Sequence, residues 1–98
     1  MPYIPAEERR ALDAHIDRLA AAVLADTEPP AVAGRLNYAI TRLALAVLPL
    51  ERYWQAALVT GVLENVKQEL YRRAVAPYED RKRAEHGDLT GYAGEPDR

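Results

Sequence analysis

The sequence predicts an all-α fold: a small helical bundle of three main helices, a short C-terminal helix after a proline kink, and an extended tail. Two observations carry most of this. Apolar residues recur at helical spacing in three long segments, and prolines at 29, 30, 49 and 77 punctuate the chain between them. The third observation is compositional. Hydrophobic residues make up 49% of the 98 residues, but the count leans on alanine, with no phenylalanine and one tryptophan, which favours small-residue helix packing over a bulky core.

The first helix is expected from about residue 5 to 25. Pro5 suits a first-turn position, Glu7 and Glu8 lie where the helix dipole favours acid, and Leu12, Ile16, Leu19, Ala20, Val23 and Leu24 form one apolar face. Asp26-Thr27-Glu28-Pro29-Pro30 reads as its stop and as a short extended link. A second helix then folds back from Ala31, with Leu36, Ile40, Leu43, Ala44, Val47 and Leu48 at helical period. Leu45 and Ala46 fill its other face, so the segment reads either as a subunit interface or as the middle of its own bundle.

Pro49 ends that helix, and a third starts near Glu51, with Trp54, Ala57, Leu58, Val62, Val66, Leu70 and Ala74 on one stripe. Running to Val75 or Ala76, it would be roughly 35–40 Å long and form the backbone of the fold. Gly61 in its middle suggests close approach of another helix. Tyr53 and Trp54 read as plugs of a core, with stacking on a base as the alternative. Pro77 is expected to force Ala76 out of helical geometry and to start a short fourth helix over 77–86, stopped by Gly87. Residues 1–88 are thus expected to form a single helical domain and 89–98 a loosely ordered C-terminal tail.

Composition narrows function. Thirteen Lys plus Arg against 15 Asp plus Glu give a net charge of −2, so the overall positive field of generic nucleic-acid binding is missing and any anion site must be local. Cysteine is absent, which removes disulfides, thiol nucleophiles and thiolate metal sites. No uncharged run, neither Leu43 to Leu50 nor the longer Tyr53 to Leu63, approaches the roughly 20 residues of a membrane span, and Glu7 and Glu8 stand where a secretory leader would carry basic residues. A cytoplasmic protein with no membrane partner is the expectation.

Chemistry concentrates at the expected kink. Tyr71, Arg72, Arg73, Tyr78, Glu79, Asp80 and Lys82 bring arginine forks, phenols and carboxylates around Pro77. An arginine there could grip Glu79 or Asp80, which is a structural hinge, or a phosphate, which is an anion site. Glu64–Lys67 and Glu69 with Arg72 and Arg73 have the spacing of ordinary surface ion pairs. The carboxylates Glu64, Glu69, Glu79 and Asp80 offer an alternative, a Mg²⁺-dependent nucleotide pyrophosphohydrolase-like enzyme. Their spacing departs from the paired Glu-x-x-Glu and Glu-x-x-Asp of the all-helical nucleoside triphosphate pyrophosphatases. His86 reads as a helix C-terminal residue favoured by the dipole.

Several blocks recur together in a known grouping: Met1-Pro2-Tyr3-Ile4, Leu36-Asn37-Tyr38-Ala39-Ile40-Thr41-Arg42-Leu43, Gly61-Val62-Leu63-Glu64, Glu69-Leu70-Tyr71-Arg72-Arg73, Pro77-Tyr78-Glu79-Asp80 and Gly87-Asp88. In this order and spacing they resemble a family of small uncharacterised proteins of bacterial genomes and phages, over most of the chain. His86 stands where that family favours asparagine, a change a capping role tolerates. The resemblance implies a shared fold and a phage-related setting, and it implies no activity.

The reading that results is a non-enzymatic binding or interaction module, forming a homo-oligomer with a dimer favoured. Its polar site at Tyr71, Arg72, Arg73, Tyr78, Glu79, Asp80 and Lys82 would hold an anionic small molecule or a protein partner. No cofactor or metal is assigned. A purely structural assembly protein, whose kink only shapes an oligomer, is the third possibility.

Overall fold

The structure, a computed structural model, describes residues 4–93, so the Met1-Pro2-Tyr3 block and the last residues of the expected tail lie outside it. Among the described residues all regular structure is helical, in agreement with the all-α class, and no helix is long and apolar enough to cross a membrane. The chain forms two compact units, residues 1–49 and 50–98.

The first unit is an antiparallel hairpin of α1 (Ala6–Leu24) and α2 (Pro29–Val47). Pro29 and Pro30 do not merely stop α1, as the sequence suggested. They form the first positions of α2. The first amides of a helix have no acceptor within it, so a residue without an N–H costs nothing there, and the fixed proline φ is already helical. Chain reversal falls to the residues before them: Ala25 is extended and Asp26 takes a left-handed φ of 48°, a conformation that aspartate tolerates better than most residues.

Reversal is secured by a side chain. The last turn of α1 holds no basic residue of its own. Instead Arg35 of α2 reaches back and donates to the carbonyls of Ala25 at 2.7 Å, Val23 at 3.1 Å and Ala22 at 3.3 Å. A guanidinium on orphan carbonyls at the negative end of a helix dipole satisfies both local demands and clamps the two helices together.

In the second unit α3 (Tyr53–Leu70) opens with Gln55, whose side-chain oxygen accepts from the amides of Glu51 and Arg52, each at 3.0 Å. The helix then runs without a break through a π-helical turn at Tyr71–Val75 into α4 (Ala76–His86). The expected break at Pro77 is corrected: Ala76 stays helical at φ −63° and ψ −45°. Pro77 has no N–H for the Arg73 carbonyl, and its ring would strike that carbonyl in a regular α-helix. Widening the preceding turn by one residue, so that the Ala76 amide bonds to the Tyr71 carbonyl five residues back, moves the conflict aside without ending the helix.

Gly87, at φ 83°, stops α4, with its amide on the Arg83 carbonyl at 2.8 Å. His86 is the last residue of α4, as the dipole argument required. Past it, α5 (Thr90–Ala93) forms one helical turn in what the sequence suggested was a loose tail, and residues 94–98 lie outside the described part.

Packing is thin throughout. No described residue in either unit is fully buried. Tyr53 is 87% and Trp54 57% exposed, so neither plugs a core: both sit in the first turn of α3 with open surroundings. Gly61 is corrected as well, since a Cβ built there would meet nothing within 4 Å.

Two outcomes follow for stability. Arg35→Ala lowers unfolding free energy in urea by about 1 kcal/mol, because a single guanidinium nitrogen, Nη1, serves all three carbonyls. An unchanged urea midpoint in Arg35→Ala would remove the clamp from this account. Gly61→Ala raises stability by roughly 0.5–1 kcal/mol through helix propensity alone, and a loss on thermal melting would reveal a neighbour that needs the glycine.

Candidate functional site

The candidate site is built by the turn at Tyr71–Val75. At 100° per residue, positions eight apart on an α-helix point about 80° away from one another, whereas positions seven apart share a face. The π-helical turn takes up one extra residue, so Tyr71 and Glu79 behave as if seven apart. They meet: the Tyr71 hydroxyl donates to Glu79 Oε1 at 2.6 Å. This bond and the neighbouring negative charge of Glu79 raise the Tyr71 pKa above the ordinary 10.0, with smaller contributions from desolvation, Asp80 and Tyr92.

Around that pair lies an open basin of about 830 Å³ on the second unit. Of the residues singled out in the sequence, Tyr71, Tyr78, Glu79, Asp80 and Lys82 line it. Arg72 and Arg73 do not. Both turn to Glu69, at 3.6 and 3.9 Å, so the expected arginine grip on Glu79 or Asp80 is replaced by local pairs one helical turn back. The cause is geometric: Glu69 precedes these arginines by three and four positions on the regular part of the helix, and the carboxylates beyond the wide turn face elsewhere.

Cations within the basin are locally matched. Lys82 Nζ stands 3.3 Å from Glu85 Oε1 and 5.7 Å from the centre of the Tyr78 ring, with Arg81 5.9 Å from the same ring. Arg83 lies 3.5 Å from Asp80, and His86 Nε2 lies 3.7 Å from Glu85. Exposed pairs of this kind contribute little to stability, yet they lower the positive potential offered to an anion.

Tyr92 and Leu89 complete the basin, and sequence reasoning missed both by assigning them to the tail. The available signal was Gly87-Asp88: a positive-φ glycine turns the chain, and Asp88 Oδ1 then accepts from the Leu89 amide at 2.8 Å, which sets up the helical turn that carries Tyr92. Tyr38, the other tyrosine beside an arginine, is satisfied within α2, where Arg42 donates to its hydroxyl at 2.9 Å and lies 5.8 Å from its ring centre.

Among the described residues, no group of three His, Cys, Asp or Glu side chains comes together so as to hold a metal ion. The carboxylates that a Mg²⁺ site would need are engaged separately. Glu64 accepts from Gln68 at 3.0 Å and pairs with Lys67 at 3.2 Å, contacts that lower its pKa in that order. Glu69 meets Arg72 and Arg73, Glu79 meets Tyr71, and Asp80 meets Arg83.

Tyr71 should therefore be the phenol that ionises late. Its raised folded-state pKa means that the contact stabilises the fold below the ordinary phenol pKa of 10.0, and that this contribution disappears as pH rises through the higher folded value. An alkaline absorbance titration of the six tyrosines loses its highest-pH component in Tyr71→Phe. Pro77→Ala, which lets the wide turn regularise, returns that component to the main transition. A titration unchanged at its upper end in both variants would overturn the alignment argument.

No curated protein and no solved structure matches the chain. The Domain of unknown function (DUF6899) profile matches residues 1–89, from before α1 to the residue preceding α5, and the chain belongs to that family.

Proposed function

We propose that the chain is a non-enzymatic interaction module whose basin at Tyr71, Tyr78 and Tyr92 receives a segment of a partner protein. One observation carries this reading: three tyrosines and Leu89 line one open basin whose cations each sit beside a carboxylate, Lys82 beside Glu85 and Arg83 beside Asp80. Phenol rings give large contact area at small entropic cost and dominate protein contact sites, and charged groups of both signs on the lining suit a peptide with both signs. A phosphate-bearing ligand would be better served by unpaired arginines, and Arg72 and Arg73 are held by Glu69 outside the basin. The likeness of the sequence blocks to small bacterial and phage proteins supports a phage-related setting for this interaction.

The test replaces the aromatic wall. A photo-reactive side chain placed at Leu89 captures a partner from host lysate, and the same substitution is combined in turn with Tyr78→Ala, Tyr92→Ala, Arg72→Ala and Arg73→Ala. The tyrosine variants reduce capture of one defined species about tenfold or more while the melting temperature holds, and the arginine variants leave capture intact. If the arginine variants abolish capture and pyrophosphate competes with it, the anion reading replaces this one.

A further inference from the structure

We infer that the α1–α2 hairpin is half of a four-helix bundle completed by the hairpin of a second copy of this chain. Leu12, Ile16, Leu19 and Val23 on α1 follow a four-three-four spacing, and Leu36, Ile40, Leu43 and Val47 on α2 repeat it. That 3.5-residue period is the seam of helices that pack along their whole length at a shallow crossing angle. Within one hairpin the seams are only half used. All of these side chains except Val23 are between 43% and 67% exposed, and the groove between the helices is lined by hydrocarbon.

The positions beside the seams point to more than one neighbour per helix. A two-stranded coil carries charge there, whereas these helices carry Ala20 and Ala22 on α1 and Ala39, Ala44 and Ala46 on α2, with Asp13, His15 and Asn37 as the polar exceptions. Small flanks widen the apolar arc beyond what a single facing helix covers. Each helix therefore has room for a second neighbour, and a twofold-related hairpin supplies one to each.

The areas agree. At roughly 100 Å² left on each of the seven half-exposed residues, the two seams leave about 700 Å² uncovered per hairpin, close to the roughly 800 Å² that one partner contributes to a stable interface of standard size. The unit in question spans only 49 residues, close to the size below which a lone hydrophobic core needs help. Charge does not oppose the pairing, since α2 carries Arg35 and Arg42 with no carboxylate while α1 mixes Glu7, Glu8, Asp13 and Asp17 with Arg9, Arg10 and Arg18.

This inference is independent of the tyrosine basin, and so is its test. Sedimentation velocity of the full chain over a wide concentration range should give a dimer. Ile16→Asp and Ile40→Asp each shift it to monomer, by a tenfold or greater loss in association, while Val66→Asp on α3 leaves the dimer intact. A wild-type monomer at every concentration overturns the inference, as does a dimer that survives both seam variants or is lost in Val66→Asp. Because an aspartate could also unfold the hairpin, a second measurement leaves the seams untouched. The chain has no cysteine, so Ala14→Cys with a nitroxide label gives one spin per copy, and any measured distance is between copies. A defined distance within the roughly 35 Å that a four-helix bundle of this length allows supports the arrangement, and no distance in that range overturns it.

Discussion

With no residue fully buried among those described, the position of each helix end depends on where backbone amides and carbonyls find partners. Each boundary is one answer to that demand. Arg35 supplies donors to the carbonyls at the end of α1, two prolines remove donors that would have stood idle at the start of α2, and Gln55 takes up amides before α3. Pro77 presents the inverse problem in mid-helix, a missing donor and an intruding ring, and the π-helical turn resolves it. Without these local settlements, weak side-chain packing could not hold the same boundaries.

The candidate site inherits its form from one of them. A regular helix would carry Tyr71 and Glu79 on different faces, and the basin would lose its short hydrogen bond and its alignment of aromatic groups. The wide turn thus links a backbone constraint to a chemical surface. That surface is modest in charge and rich in phenols, because the ion pairs of α4 close on themselves at three-residue spacing. Recognition there rests on shape and aromatic area more than on field.

Helical periodicity made the class and the long helices legible: the apolar positions from Leu12 to Leu24 and from Leu36 to Val47 mark α1 and α2 closely. Proline was harder to read. The same residue type opens α2 at 29 and 30 and widens a turn at 77, and its meaning depends on whether a carbonyl four residues earlier needs its amide, which a string of letters states only once the helix start is known. Most of the candidate site could be named because its residues cluster around Pro77. The roles of Arg72 and Arg73 could not, since α-helical counting carried across the turn misplaces everything beyond it by one position. Tyr92 was lost for a similar reason: four residues of helix after a glycine carry too little periodicity to register.

The wide turn also sets how this region can change in length. A π-helical turn is the structural equivalent of a single-residue insertion in an α-helix. Excising one residue between Tyr71 and Val75 would leave a regular, continuous helix in which Tyr71 and Glu79 are truly seven apart, so α4 would keep its face relative to α3. Point substitution can erode the basin one side chain at a time, whereas closing the wide turn without removing a residue would swing Tyr78, Glu79 and Lys82 off the Tyr71 face together. A one-codon deletion at these five positions is therefore the length change that the basin tolerates, whereas a second deletion would turn α4 away from Tyr71.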